Sequence, residues 1–369
     1  MARRAGLGAI ALALALAACG RDGGGEPLSV VSLLGEGDSQ GYARAAPVPV
    51  FDFPADHGPH PDFRSEWWYF TGNLADARGR AFGFQLTFFR FALAPDEREG
   101  ASAWGTRQVW MGHFAVTDVD GGRFHRSETF QRGALELAGA RGAPFRAWVG
   151  EWEAASTGPA LFPMRLEADA GDFALELGLD AVKPIVFQGE DGYSAKGPEP
   201  GNASLYYAFT RLSAEGSVRL GGETFDVRGD AWLDREWSTS ALGEGVQGWD
   251  WLSLQLDDGR ELMLYRLRRE DGSSTPFSAG SIVDRDGRVT RLAADAFEMR
   301  PGRRWRSPET GASYPVAWTV RVPSASLSLE VDAAVDGQEM NLSVRYWEGT
   351  VLARGDGVSG RGYLEMTGY

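Results

Sequence analysis

Three stretches of the sequence gather aromatic side chains around ionisable ones, a combination suited to acid–base chemistry in an apolar setting. They are Asp56-His57-Gly58-Pro59-His60-Pro61-Asp62-Phe63-Arg64-Ser65-Glu66-Trp67-Trp68-Tyr69, Trp232-Leu233-Asp234-Arg235-Glu236-Trp237-Ser238 and Gly248-Trp249-Asp250-Trp251. In the second stretch, strand alternation places Trp232, Asp234 and Glu236 on one face and Leu233, Arg235 and Trp237 on the other. Burial among indoles raises a carboxyl pKa, and a neighbouring carboxylate pushes it the same way. An acid kept protonated in this manner can donate a proton to an apolar substrate while indole faces stabilise the resulting cation. The same carboxyls can instead pair with Arg235, Arg64 or Arg90 and pin a domain junction.

Other chemistries find less support. His57 and His60, with Asp56 and Asp62, could be read as metal ligands, but Gly58 and Pro59 put them on a loop, where histidines more often cap or face solvent. No metal is expected. His113 sits in a strand beside Phe114, as a core or pocket histidine does. Gly192-Tyr193-Ser194 is not a nucleophile elbow, and neither a phosphate loop nor a dinucleotide fingerprint occurs. The expectation is therefore chemistry or binding without a cofactor.

The elements that must hold these residues are strands. Short alternating segments punctuated by Gly and Asp run from about residue 66 onward, with almost no helical period. Trp67–Leu74 and Ala81–Phe91 flank Arg78-Gly79; Gln108–Val119 and Gly122–Phe130 flank Asp120-Gly121; Trp251–Leu256 and Glu261–Arg268 flank Asp258-Gly259. A repeat is visible. Glu66-Trp67-Trp68-Tyr69 leads through Asn73-Leu74 and Gly79-Arg80 to Phe82-Gly83-Phe84-Gln85-Leu86, and Trp249-Asp250-Trp251-Leu252 leads through Gln255-Leu256 and Gly259-Arg260 to Leu262-Met263-Leu264-Tyr265. Arg228-Gly229-Asp230-Ala231-Trp232 and Arg361-Gly362-Tyr363-Leu364-Glu365 then read as matching closing strands. The expectation is an all-β chain of two similar barrels joined near Glu236–Gly248.

Composition narrows the partners. The 369 residues carry 51 acidic and 37 basic side chains, a net charge of −14, which argues against nucleic acid. The single cysteine, Cys19, precludes an intrachain disulfide. Arg3 and Arg4 precede an apolar run, Leu7–Ala18, of signal-peptide length that ends Leu16-Ala17-Ala18-Cys19. This resembles the lipobox of bacterial lipoproteins, and implies acylation of Cys19 and a membrane-anchored, periplasmic body. Gly20 in place of Asp favours the outer membrane. The expected division is a signal peptide over 1–19, a tether and extended lead-in over 20–46, and domains over 47–240 and 241–369.

Phe53-Pro54-Ala55-Asp56-His57-Gly58 through Glu66-Trp67-Trp68-Tyr69-Phe70-Thr71-Gly72 resembles the opening signature of the AttH/CrtC lipocalin-like family, which includes carotenoid 1,2-hydratase-like proteins. His113-Phe114-Ala115, Lys183-Pro184, Trp232–Ser240, Gly248–Asp258, Tyr346-Trp347-Glu348-Gly349 and Gly368-Tyr369 continue the match. The resemblance implies two tandem lipocalin-like antiparallel β-barrels, with residues near their junction lining a shared cleft for an apolar, lipid- or isoprenoid-like molecule. The hydratases of the family add water across a carbon–carbon double bond by acid catalysis, using a histidine shortly before a tryptophan, a tyrosine and an aspartate. Arg235 stands where that histidine would align, two residues before Trp237; because Arg does not cycle a proton near neutral pH, Asp234 or Glu236 would have to supply it. Candidate catalytic residues are Asp234, Glu236, Trp237 and Tyr265. Candidate ligand-binding residues are Glu66, Trp68, Gln85, His113, Trp232, Arg235, Trp249, Trp251 and Gln255. The resemblance also implies an association with an ABC transporter. Three readings follow: an envelope lipoprotein that binds or carries an apolar molecule, a cofactor-independent hydratase or hydrolase, and a glycan-binding or glycan-cleaving module.

Overall fold

The computed structural model describes residues 39–95, 104–240 and 242–369, and hairpin turns and alternation shape these described residues. Cys19 and the rest of the N-terminal segment lie outside the described residues. The first sheet contains β1 (Ser65–Asp76), β2 (Ala81–Ala92), β3 (Gln108–Asp118), β4 (Arg123–Arg132), β5 (Ala138–Gly142), β6 (Phe145–Val149) and β7 (Trp152–Ser156). It continues with β8 (Met164–Asp169), β9 (Phe173–Ala181), β10 (Val186–Phe187), β11 (Tyr193–Ala195), β12 (Ala203–Leu220) and β13 (Glu223–Ser238). Its order, β4-β3-β2-β1-β13-β12-β9-β8-β7-β6-β5, curls it into a nearly closed barrel.

The second sheet begins with β14 (Val246–Leu256), β15 (Glu261–Arg269), β16 (Ala279–Val283), β17 (Val289–Ala293) and β18 (Glu298–Pro301). A small separate hairpin, β19 (Arg304–Arg306) and β20 (Ser313–Pro315), precedes β21 (Ala317–Val322), β22 (Leu327–Ala333), β23 (Glu339–Asn341), β24 (Arg345–Gly355) and β25 (Val358–Met366). The order β17-β16-β15-β14-β25-β24-β22-β21-β18 makes a half-barrel. The all-β expectation of tandem lipocalin-like barrels holds. Strands β5–β7 were not expected, because their Gly- and Ala-rich sequences lack a clear alternating signal.

The repeat is visible in the pairing. β1 lies between β2 and β13, and β14 lies between β15 and β25, so opening and closing strands pair in both sheets. Gly79 and Gly259 make the equivalent hairpin turns at φ +86° and +85°. Gly229 pairs with Leu74 and Gly362 with Leu254. A Cβ at Gly229 would meet the Asn73 carbonyl at 2.0 Å, and one at Gly362 would meet the Ser253 carbonyl at 1.8 Å.

Alternation assigns each strand face to a different compartment. Trp68, Phe70, Phe84, Phe88, Phe114, Leu233 and Trp237 point into the first barrel and pack it solid. Leu252, Leu254, Leu262, Leu264, Trp347 and Leu364 fill the second. A third apolar cluster, with Tyr69, Met111, Tyr206, Trp232, Trp251, Tyr265 and Tyr346, is formed by outward-facing side chains where the two sheets meet. Polar contacts fix that seam. Gln255 Nε2 donates to the Thr210 and Ala231 carbonyls, both at 2.9 Å. Glu261 accepts from Lys183 Nζ and Arg211 Nε, both at 2.7 Å. Thr117 Oγ1 donates to Gln338 Oε1 at 2.7 Å.

Candidate functional site

The outward faces of β1, β2, β3, β12 and β13 meet those of β14, β15, β24 and β25 around a cavity. It holds about 970 Å³ of space between atoms, open water at its mouth included. Trp67, Tyr69, Phe89, Phe91, Trp249, Trp251 and Tyr346 supply aromatic walls, and Met111, Leu242, Leu267 and Val344 add aliphatic surface. Asp234, Glu236, Glu365, Lys196, His113, Tyr206 and Tyr265 are the polar groups that reach it. An apolar pocket with a few convergent polar groups is the usual form of a small-molecule site.

Asp234 is held entirely by neutral donors. Trp232 Nε1 donates to Oδ1 at 2.7 Å and Tyr206 Oη to Oδ2 at 2.8 Å. Among the described residues it forms no ion pair at salt-bridge distance, and only 4 % of it is exposed. Burial pushes its pKa up to about 8 against the two hydrogen bonds, with Glu236 and Glu365 adding repulsion. Asp234 is therefore largely protonated at neutral pH. Trp251 Nε1 donates to Tyr206 Oη at 3.3 Å, so the indole and the acid share one phenol.

Glu236, two residues along the same face, is a carboxylate with a fixed partner. Lys196 Nζ lies 3.3 Å from Oε1, and the Ser204 hydroxyl also donates there. The Lys196 ammonium sits 4.1 Å from the centre of the Tyr265 ring, whose hydroxyl is 3.0 Å from Ser194 Oγ. Burial lowers the lysine pKa, but Glu236 and Tyr265 outweigh it and leave it raised.

A second acidic pair belongs to the other sheet. Glu348 and Glu365 are directly paired across β24 and β25. Glu365 accepts from Trp249 Nε1 at 2.7 Å, and burial pushes its pKa up to about 7. Glu348 is fully buried, and neither of its oxygens has a hydrogen-bond partner of normal geometry. Burial, then Glu365, pushes it well above the usual carboxyl range, and the nearby Tyr69 and Tyr346 hydroxyls only partly offset this. Tyr346 Oη also lies 2.7 Å from His113 Nδ1, and His113 Nε2 is 3.7 Å from Glu128. Burial lowers the His113 pKa, favouring the neutral ring.

Strand parity sorts the residues named from the sequence. Asp234, Glu236, Tyr265, His113, Trp249 and Trp251 line the cavity, and Trp232 braces Asp234 from behind. Gln85 and Gln255 face the same seam but away from the cavity: Gln85 donates to Thr87 Oγ1, and Gln255 latches the sheets. Glu66, Trp68, Arg235 and Trp237 point the other way, into the mouth of the first barrel. There Glu66 accepts from Arg90 and Arg235, whose guanidinium lies 3.9 Å from the Trp68 ring centre. Burial pushes Glu66 up, but Arg235 and Arg90 outweigh it and hold its pKa far below the usual range. Trp237 stacks on His60 at 3.9 Å, and His57 Nδ1 lies 2.7 Å from Tyr207 Oη. The loop histidines thus belong to this structural cluster. Among the described residues no group of three or more His, Cys, Asp and Glu side chains is placed to hold a metal ion.

The structure adds Trp67, Tyr69, Phe89, Phe91, Lys196, Tyr206, Tyr346 and Glu365 to the cavity wall. The repeat could have pointed to Glu365, which occupies the place in its closing strand that Trp232 holds in the other. Lys196, one of two lysines in the chain, had no such signal.

The sequence pattern of the AttH-like family matches residues 44–369, nearly all of the described body. The chain belongs to the AttH-like family. The crystal structure of a protein assigned to AttH from Nitrosomonas europaea is 35% identical, covers 89% of this chain and 99% of its own, and superposes with a TM-score of 0.80. Kievitone hydratase from Nectria haematococca shares the fold at 15% identity, covering 88% of this chain and 95% of its own at a TM-score of 0.66. CghA, in complex with Sch210972, also shares it at 15% identity, covering 91% and 98% at 0.52. No curated protein matches the chain by sequence. The AttH-like fold thus spans both sheets and the cavity between them.

Proposed function

We propose that this AttH-like protein binds an apolar, unsaturated molecule between its barrels and adds or removes water across a carbon–carbon double bond by acid catalysis. One observation carries the reading: a carboxyl with a pKa of about 8, braced by Trp232 and Tyr206, faces an aromatic-walled cavity. In the hydration direction the Asp234 proton goes to one alkene carbon, and the π faces of Trp67, Trp249 and Trp251 stabilise the cation. Water attacks the other carbon and gives a proton to the ionised form of Glu365, whose pKa burial pushes up to about 7. That proton returns to Asp234 through solvent, so the net change is one water added. Arg235, at the position of the family hydratases' histidine, faces the first barrel, which leaves the cavity's proton donor to Asp234.

The carrier reading rests on the same cavity and on the lipobox at Cys19, which supports an envelope protein with its body in the periplasm. A transporter partner belongs to that reading. The enclosed apolar lining favours either over a glycan module, which calls for indoles on an open face. Mass spectrometry of the molecule that co-purifies, followed by its incubation with the protein in 18O-labelled water, tests the proposal. Hydration predicts one 18O per product, with Asp234→Asn slowing incorporation about 10²-fold or more. A bound molecule that never acquires label supports carriage and overturns catalysis.

A further inference from the structure

The cavity mouth and the N-terminal attachment share one side of the body. Trp67, Phe89, Phe91 and Trp249 are cavity residues left half-buried, and they mark its opening. Phe89 and Phe91 stack with their ring centres 6.2 Å apart at the end of β2's outward face. Two residues further on, Leu93 is 67 % exposed, and its N–H still donates to the Arg107 carbonyl at 2.6 Å. Trp104, three residues before Arg107, is 57 % exposed. An apolar path therefore leads from the cavity to the surface.

The described chain begins beside that path. A Cβ on Gly41 would lie 2.9 Å from Pro95, and Tyr42 Oη donates to the Ala92 carbonyl at 3.2 Å. The same lead-in carries Val48 and Val50, 83 % and 91 % exposed. Cys19 precedes Ser39 by 39 − 19 = 20 residues, a length of chain that reaches at most about 70 Å.

We infer that Leu93 and the cavity mouth rest on the bilayer surface to which Cys19 anchors the protein, so the apolar ligand exchanges with lipid. The inference rests on the proposed anchor and on an apolar ligand, not on catalysis. Charge is not its basis: the Arg64 and Arg107 carbonyls accept from the Ala92 and Leu93 N–H groups, but Asp96, Glu97 and Glu99 follow the path in sequence. Desolvation of exposed leucine, valine and tryptophan supplies the attraction, and tryptophan is favoured at the headgroup level.

The test uses the full-length, acylated protein in zwitterionic phosphatidylcholine vesicles. Acylation consumes the one native thiol, so Leu93→Cys provides a single site for an environment-sensitive fluorophore. Ala77→Cys, in the exposed β1–β2 turn at the opposite end of β2 from Leu93, is the control. The expected result is a blue shift at 93 and quenching by brominated acyl chains, with neither at 77. Leu93→Asp is expected to slow uptake of vesicle-borne N-phenyl-1-naphthylamine about tenfold, leaving its binding to detergent-solubilised protein unchanged. A protein that floats with vesicles yet reports solvent at 93 overturns the inference alone. A protein that does not float overturns the anchor as well, and neither result touches the hydratase reading.

Discussion

Replacing Asp234 with asparagine preserves the shape of the cavity wall and removes its proton. Asparagine Oδ1 still accepts from Trp232, and its amide nitrogen can donate to Tyr206 Oη, which in the wild type donates to Oδ2. Burial pushes the Asp234 pKa up to about 8, from 3.8 for a solvent-exposed aspartate. Between those values the folded chain holds a proton that the unfolded chain has released. Wild-type stability therefore falls as pH rises from about 4 to about 8 and levels off above, whereas Asp234→Asn removes this contribution. At 1.36 kcal/mol per unit the ceiling is about 6 kcal/mol, and water entering the cavity leaves an expected difference of about 2 kcal/mol. Urea unfolding followed by tryptophan fluorescence at pH 5, 7 and 9 reads this directly. The variant should lie nearest to wild type at pH 5 and exceed it most at pH 9. Glu348 and Glu365 are present in both proteins, so the difference reports the Asp234 proton together with the repulsion between Asp234 and Glu365. Parallel curves for the two proteins would refute the argument that burial holds Asp234 protonated.

Glu66→Gln removes the counter-charge between Arg90 and Arg235 and should cost about 3–5 kcal/mol in urea unfolding at pH 7, because two buried guanidinium groups lose their partner. Tyr206→Phe deletes a hydrogen bond that holds the Asp234 pKa down, so the pH at which stability levels off should move higher, as followed by the same measurement. Gln255→Leu leaves the Thr210 and Ala231 carbonyls without their donor, and a loss of about 1–3 kcal/mol is expected, with thermal unfolding resolving two transitions in place of one if the seam couples the sheets.

The fold was legible because the hairpins announce themselves. Gly79 and Gly259 sit between alternating aromatic strands, and both adopt the left-handed backbone that the Gly-Arg turns suggested. The shared registers of Gly229 and Gly362 follow from the same repeat. The site was only partly legible. Alternation correctly separates Asp234 and Glu236 from Arg235 and Trp237, yet the richness of Glu66, Trp68, Arg235 and Trp237 in chemistry-bearing atoms drew them into one site with the acids. They serve the first barrel's mouth instead, where Glu66 joins two arginines. His113 was placed in a strand, but its link to Tyr346 crosses 233 positions of sequence and is set by how the sheets dock. Lys196 lies just past β11, where no periodicity operates.

The hollow is bordered by the backs of two sheets whose insides are already full. Side chains that hold each sheet in shape and side chains that line the hollow occupy alternate positions of the same strands. The lining can thus be changed at every second residue along Trp232–Glu236 or Trp249–Trp251 while the packed interiors stay as they are. Such a scaffold can be given a new lining without having to relearn how to fold.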